Sequence, residues 1–156
     1  MKTRILLLTL LIFISGNCLA QKKLFDHFSD MDGVTSVYIS KTMLQMMPNM
    51  NIQGDLDIGN FAGKLDGILI LTSESENVSK MMRSETSYFH NNPDYEILMK
   101  VKDEETNVNF YIKKKTNNLI GELVMLVDDK SEYVIIQMVG NMTMEDIQKL
   151  TKSMNH

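Results

Sequence analysis

The sequence predicts a single α+β domain of two layers, in which a mixed sheet carries helices mainly on one face. Three observations predict this class. Helical apolar patterns alternate with two short strands in the first half, and period-two alternation recurs through the second half. Residues 68–71 form a wholly apolar stretch, which is typical of a strand covered on both faces. Together they predict a parallel β-α-β start followed by a four-stranded antiparallel meander.

The parallel start lies between two predicted strands at residues 34–39 and 68–71. A helix before the first strand ends at Asp32-Gly33, and Pro48 stops a short helix after it. A further helix leads into the second strand, and a helical crossover of this kind joins parallel strands with a right-handed turn. The apolar residues at helical spacing in the three helices are Leu24, Phe25, Phe28 and Met31; Met43, Leu44 and Met47; and Ile58, Phe61, Ala62 and Leu65.

Two capping boxes predict where the later helices begin. Ser73 with Glu76 opens a long helix, and Thr143 with Asp146 opens the last one. Each helix has an apolar side that we expect to be buried against the sheet. The residues of these sides are Val78, Met81, Met82 and Phe89 in the long helix, and Met144, Ile147, Leu150 and Met154 in the last.

The antiparallel meander is predicted between these two helices. Residues 95–102 and 107–113 alternate between apolar and polar side chains, which predicts a hairpin. Closing it symmetrically pairs Lys102 with Asn107, Leu98 with Tyr111 and Glu96 with Lys113. Residues 119–127 and 132–139 supply two further strands after short polar turns.

The first twenty residues have the layout of a secretory signal peptide. Lys2 and Arg4 precede an apolar run over residues 5–14, and small residues at Cys18 and Ala20 flank a predicted cut before Gln21. The run is shorter than the roughly 20 residues needed to span a bilayer. We therefore expect residues 1–20 to be removed, leaving residues 21–156 as one exported domain in the periplasm or outside the cell. The alternative for this segment is a buried N-terminal helix.

Cys18 raises the alternative of a lipid anchor. A lipoprotein signal favours Gly or Ala immediately before the cysteine and a branched apolar residue three positions before it. Here Asn17 and Ser15 occupy those positions, so we predict cleavage rather than lipidation. Removing residues 1–20 then takes away the only cysteine, and with it any disulfide or thiolate chemistry.

Charge argues against nucleic acid as a partner. The full chain has a net charge of −4, and loss of Lys2 and Arg4 with the signal lowers it to −6. An acidic, exported domain has neither the electrostatic surface nor the opportunity to bind nucleic acid. No stretch after residue 20 approaches membrane-spanning length.

The methionines Met43, Met46, Met47 and Met50 are the best candidate for a metal site. Thioether sulfur is a soft ligand that suits copper(I). The alternative is that they form the apolar face of a helix, where methionine fills irregular gaps. We favour packing, because Pro48 interrupts the helix and no histidine or cysteine lies nearby in sequence.

The other candidate groups do not form a recognisable catalytic or metal-binding set. His27, His90 and His156 are widely separated and lack zinc-ligand spacing. Ser73 and Ser75 follow a strand but lack the glycines of a nucleophile elbow. Paired carboxylates lie in predicted turns and caps: Asp55 with Asp57, Glu104 with Glu105, and Asp128 with Asp129. We therefore predict no enzyme activity, no cofactor and no catalytic or metal-ligating residue.

Two surface features remain as candidate docking sites. Lysines gather at the hairpin edge, where they either bind an anionic lipid or glycan or keep the strands solvated. The last two strands are apolar on both faces, so the second face is covered either by the chain's own first helix or by a partner protein. Ile136→Lys tests the partner alternative, because it should abolish partner binding if that face is an interface. The lysines are Lys100, Lys102, Lys113, Lys114 and Lys115.

Several segments are similar to one known family. They are MDGVTSVYISK (31–41), KLDGILILTSE (64–74), YEILMKVKDE (95–104), NFYIKKK (109–115), ELVMLV (122–127) and VIIQMVGNMTMEDIQKL (134–150). With the N-terminal segment they resemble the domain of unknown function 4252 family, small exported proteins of Bacteroidetes-type bacteria. The resemblance implies no catalytic residues. It implies a regulatory, envelope-stress-associated role, because the genes of family members often lie beside genes for extracytoplasmic sigma factors and their antagonists.

Overall fold

A computed structural model describes residues 24–46, 51–52, 56–57 and 62–153 of the chain. The predicted signal peptide, Met47, Met50, Met154 and His156 lie outside the described residues. The helices are α1 (residues 24–29), α2 (Lys41–Met46), α3 (Glu76–Asn91) and α4 (Met144–Ser153), with a 3-10 turn at Ala62–Lys64. The strands are β1 (Thr35–Ser40), β2 (Asn51–Ile52), β3 (Leu56–Asp57), β4 (Leu65–Ser73), β5 (Glu96–Lys102), β6 (Asn107–Thr116), β7 (Leu119–Asp128) and β8 (Tyr133–Met142).

Six strands form one antiparallel sheet in the order β1-β4-β8-β7-β6-β5, while β2 and β3 pair separately. The predicted meander is confirmed, because β5, β6, β7 and β8 are consecutive antiparallel neighbours. Strand β4 lies between β1 and β8, and its residues Ile68 and Leu71 are buried in separate cores on opposite faces, as expected for a strand covered on both sides.

The predicted parallel β-α-β start is wrong. Strand β1 pairs antiparallel with β4, from Thr35 opposite Thr72 to Ser40 opposite Gly67. The end of β1 and the start of β4 therefore lie at the same end of the sheet, so their connection needs no crossover. The described part of that connection has the six-residue α2 and a 3-10 turn, which are too short for the helical crossover that a parallel pair requires.

The prediction of two layers is also wrong, because described helices pack on both faces of the sheet. On face A, Leu44 of α2 and Ile147 and Leu150 of α4 join a core with the β4 and β8 residues Ile68 and Ile136. On face B, α1 and α3 cover a second core. Its residues include Phe25 and Phe28 of α1, Met82 and Phe89 of α3, and Leu71 and Ile135 of the sheet. Two-sided apolar strands therefore produce three layers.

The hairpin register departs from symmetrical closure. Lys102 lies opposite Asn107 as predicted, but a shift between Ile97 and Met99 places Ile97 opposite Tyr111. Glu96 consequently lies opposite Ile112 rather than Lys113. Its carboxylate forms an ion pair of 2.9 Å with Lys114 instead. A single bulge therefore moves the predicted charge pair by one residue.

Of the two predicted capping boxes, only the second is confirmed. The backbone N–H of Asp146 donates to Thr143 Oγ1 (3.2 Å), and the N–H of Thr143 donates to Asp146 Oδ2 (2.7 Å). Helix α3 begins two residues later than expected, with Ser75 at its N-cap. Ser73 Oγ is engaged elsewhere, donating to Gly33 O at 2.8 Å. In α4, Ile147 and Leu150 are buried as predicted, whereas Met144 is 41% exposed.

Candidate interaction edge at strand β1

Strand β1 forms one edge of the six-stranded sheet. Its sequence, TSVYIS, contains no charged residue and no proline. Its pairing with β4 runs without a register shift over all six residues, so the strand is regular. An uncharged, regular edge strand presents an open row of backbone donors and acceptors to another strand.

Two large side chains of β1 are exposed on opposite faces of the sheet. Val37 lies opposite Ile70 on face A and is 45% exposed, and Tyr38 lies opposite Leu69 on face B and is 68% exposed. The β-branched and aromatic side chains at these positions favour an extended backbone. An added strand would therefore find both hydrogen-bonding groups and apolar surface at this edge.

Helix α2 extends the apolar surface beyond the strand. It follows β1 directly and anchors itself on face A through Leu44, which is fully buried. Met43 and Met46 point away from that core, with exposed fractions of 45% and 73%. The expectation that these two methionines pack in a core is therefore wrong, since Leu44 alone anchors the described helix.

Tyr38 folds inward over the sheet rather than outward. A Cβ placed on Gly67 would lie 2.9 Å from the Tyr38 hydroxyl, so the ring lies directly above this glycine. A groove of about 240 Å³ opens beside the ring and is lined by Tyr38, Asp66, Gly67, Leu69, Gln137 and Val139. At the end of β1, Lys41 Nζ bonds to Asp66 at 2.9 Å, and this hydrogen bond holds the pKa of Asp66 below its usual value.

Glu122 is a buried carboxylate that sequence analysis did not single out. Tyr95 Oη donates to its Oε2 at 2.8 Å and Gln137 Nε2 donates to its Oε1 at 2.6 Å. Burial, together with the neighbouring carboxylate, raises the pKa of Tyr95. Two donors satisfy a charge that would be costly to bury alone. The contacts give Glu122 a structural role, tying the start of β5 to β7 and β8.

The sequence-predicted candidate residues are not brought together into a site. His27 and His90 are exposed, on α1 and at the end of α3. Within the described ranges, no group of three or more His, Cys, Asp or Glu side chains is placed to hold a metal ion. Ser73 is buried and bonded to backbone, and Asp128 pairs with Arg83 at 2.6 Å. Ser73 and Asp128 thus have local structural partners.

The structure changes the interpretation of both predicted docking features. Lys113 pairs with Asp94, Lys114 with Glu96, and Lys115 Nζ donates to Asn141. Three of the five clustered lysines are therefore engaged locally. Ile136 is 1% exposed in the face A core, and both sheet faces are covered by described helices. Of the two alternatives for the second face, the chain's own helices cover it.

Sequence reasoning missed the β1 edge because local patterns do not give the order of the strands in the sheet. The signal available in the sequence was the absence of charged residues between Asp32 and Lys41, in contrast to the strands of the hairpin, which carry lysines.

No helix in the described ranges is long and apolar enough to cross a membrane.

Comparisons with known proteins identify a family but no activity. Among solved structures, a protein of unknown function from Pseudomonas aeruginosa, PA94, is similar with 6% identity and a TM-score of 0.37, covering 81% of each chain. LpqN of Mycobacterium tuberculosis, involved in cell envelope biogenesis, is similar with 8% identity and a TM-score of 0.33, covering 83% of this chain and 90% of LpqN. Similarity at this level carries no functional information about this chain.

No curated protein matches the sequence. The family model of the domain of unknown function DUF4252 matches residues 28–150, most of the chain. This agrees with the resemblance found in the sequence segments, and the chain belongs to the DUF4252 family.

Proposed function

We propose that this protein is a non-enzymatic interaction domain of the bacterial envelope that binds another polypeptide strand through the β1 edge. The observation that carries the proposal is the uncharged, regular and exposed strand β1, with Val37 and Tyr38 accessible on its two faces. Strand addition takes affinity from main-chain hydrogen bonds and specificity from alternate side chains.

The proposed location is the periplasm or the extracellular space, with a regulatory role in the envelope. Residues 1–20 support export through their basic start, apolar run and small residues before Gln21. Mass spectrometry of the protein from the native envelope tests this. We expect a chain that begins at Gln21; a chain beginning at lipid-modified Cys18 would contradict the proposed cut.

A matched pair of variants tests the interaction edge. Val37 on β1 and Val101 on β5 have similar exposed fractions, 45% and 47%, and both lie on face A. Val37→Lys adds a charge to the unprotected edge, whereas Val101→Lys adds one between Lys100 and Lys102. We expect Val37→Lys to reduce capture of partner strands in a crosslinking pull-down from envelope extract by about tenfold or more.

The same pull-down with Val101→Lys should match the wild type. Both substitutions place lysine at an exposed edge position, so both variants should retain the wild-type melting temperature within a few degrees. Equal capture by wild type and Val37→Lys would contradict the proposed function.

A second candidate function is soft-metal binding, supported by the exposed thioethers of Met43 and Met46 on α2. Titration of the protein with copper(I) under reducing conditions tests it. Replacing Met43, Met46, Met47 and Met50 together by Leu should abolish micromolar binding if these sulfurs are ligands. Replacing the exposed Met81 and Met144 by Leu is the matched control, and failure of the wild type to bind copper(I) would end this alternative.

A further inference from the structure

We propose that the strand bound at the β1 edge is β1 of a second copy, paired antiparallel about a twofold axis through Val37. This inference rests on the proposed function, since it names the partner of the same edge. The product is a continuous twelve-stranded sheet with β5 at both outer edges. Symmetry, charge and apolar contact each contribute to the choice of partner and register.

Symmetry restricts the register to two choices near the middle of the strand. Residues directly opposite each other in an antiparallel pair point to the same face of the sheet. With six residues in β1, the axis must therefore pass through a residue rather than between Val37 and Tyr38, which point to opposite faces. The axis passes through either Val37 or Tyr38.

Charge selects the antiparallel direction and the Val37 register. Acidic Asp30 and Asp32 precede β1, basic Lys41 follows it, and all three are exposed. With Val37 on the axis, Ser40 at the end of β1 lies opposite Val34 of the other copy, so Lys41, which also pairs with Asp66 of its own copy, begins α2 close to the other copy's Asp32. A parallel pair would instead place the two Lys41 side chains together. With Tyr38 on the axis, Ser40 lies opposite Ser36, two residues further from Asp32.

Apolar contacts favour the same register. The Val37 side chains meet each other on face A, and Thr35 of each copy lies opposite Ile39 of the other. Helix α2, which follows β1 and packs on face A through Leu44, adds the exposed side chains of Met43 and Met46. Strand pairing over six residues buries less than the roughly 1,200 Å² of a standard interface, so we expect association on the order of micromolar rather than nanomolar.

Disulfide trapping tests the register directly. The full-length chain is produced with its own N-terminal segment and Cys18→Ser, so that each introduced thiol is the only one. Val37→Cys brings two cysteines together on the axis, within the roughly 4.4–6.8 Å Cα separation that a disulfide allows. Tyr38→Cys lies opposite Ser36 of the second copy, and its own copy is more than about 7 Å away.

Under mild oxidation we expect Val37→Cys to form a covalent dimer at least about fivefold faster than Tyr38→Cys or the β5 edge control Val101→Cys. Faster dimer formation by Tyr38→Cys would overturn the Val37 register. Equal rates at Val37 and Val101 would overturn self-pairing. A wild-type protein that sediments as a monomer at about 100 μM, well above a micromolar dissociation constant, would also overturn it.

A charge exchange tests the paired ends. Lys41→Asp and Asp32→Lys each place like charges together, and we expect each to weaken self-association about two- to fivefold. The double variant restores opposite charges across the pair and should recover most of the wild-type value, the remainder being the ion pair that Lys41 makes with Asp66 of its own copy. Loss in the double variant as large as in both single variants combined would contradict this pairing.

The outcomes for Val37→Lys and Val37→Cys together distinguish self-pairing from binding of a different partner at the same edge. If Val37→Lys removes capture of an envelope partner while Val37→Cys does not dimerise, self-pairing is wrong and the interaction edge stands. If Val37→Lys changes neither capture nor self-association, both fail.

Discussion

The two edges of the sheet expose similar amounts of apolar side chain but are protected differently. On β5, Val101 is 47% exposed, yet Lys100 and Lys102 flank it and a bulge lies between Ile97 and Met99. On β1, Val37 is 45% exposed in a regular strand without charges. Charges and bulges are the devices by which natural sheets prevent edge pairing. The difference teaches that exposure alone does not identify an interaction edge.

The edges also differ in how they are held to the body of the protein. The start of β5 is fixed by an aromatic cluster, in which the Phe89 ring lies 5.0 Å from Tyr95 and 6.0 Å from Tyr111. Lys113 lies over the Tyr95 ring at 5.4 Å. By contrast, Thr35, Ser36, Val37 and Tyr38 of β1 are all exposed, and β1 depends on its pairing with β4. The closed edge is anchored and the open edge is accessible.

Among the variants that test this comparison, Phe89→Ala should cause the largest loss in the free energy of unfolding. Phe89 is fully buried between α1 and the β5 side of the sheet, so its removal leaves a cavity where the closed edge is anchored. We expect a loss of about 3–5 kcal/mol in the free energy of unfolding, measured by urea denaturation. Tyr38→Ala on the open edge is the control and should change that free energy little. Similar losses in the two variants would contradict the assigned anchoring.

Tyr95→Phe removes the hydroxyl that donates to buried Glu122. The carboxylate retains its bond from Gln137 but loses one donor, and we expect a cost of about 1–3 kcal/mol in urea denaturation. Tyr38→Phe removes an exposed hydroxyl and serves as the matched control. A neutral Tyr95→Phe variant would show that this hydrogen bond does not anchor β5.

Alkaline pH should weaken the anchored edge through the same residue. Burial, with Glu122 beside it, raises the pKa of Tyr95 above the ordinary value of 10.0, so the folded state keeps its proton when the unfolded chain loses it. The contribution of this residue to the free energy of unfolding is therefore fully present below pH 10, and it falls as the pH rises above that value. Burial also raises the pKa of Tyr133 to about 12, which adds to the same trend.

Unfolding free energy measured from pH 8 to pH 11 should decline above pH 10 in the wild type. Tyr95→Phe should decline less steeply, because it lacks one of the groups that release a proton on unfolding. Equal slopes in the two proteins would show that Tyr95 ionises as readily in the folded state as in the unfolded state.

Lys100→Thr with Lys102→Thr tests whether charge is what closes the β5 edge. The lysines alternate with Val101 along the strand, and Thr keeps the strand preference while removing both charges. We expect little change in unfolding free energy but new concentration-dependent association in analytical ultracentrifugation. A strictly unchanged sedimentation profile would assign the protection to the bulge instead.

Local patterns predicted the meander, the Asp146 capping box and the two-sided coverage of residues 68–71, because each depends on neighbouring side chains. The direction of β1 could not be predicted in this way. It depends on where the chain between Ser40 and Leu65 leads, and the helical spacing of Ala62 and Leu65 belongs in fact to a 3-10 turn and the first residue of a strand. The edge position of β1 depends on the order of the strands in the sheet, which local patterns also do not give, so the candidate site was missed as well.

Gly67→Ala should have the smallest effect on the free energy of unfolding, and it tests the role of the Tyr38 ring at the open edge. The added methyl group would meet only the outer end of the Tyr38 ring, which is 68% exposed and free to swing away. We therefore expect a change of less than about 1 kcal/mol in unfolding free energy. Gly140→Ala is the contrasting control, because there the methyl group would meet the backbone of Lys64 and Leu65, which cannot move so easily. Since Tyr38 points to face B and the Val37 contact lies on face A, Gly67→Ala should leave disulfide trapping through Val37→Cys unchanged. A loss of trapping in the combined variant would show that the Tyr38 ring helps hold the open edge in its pairing conformation.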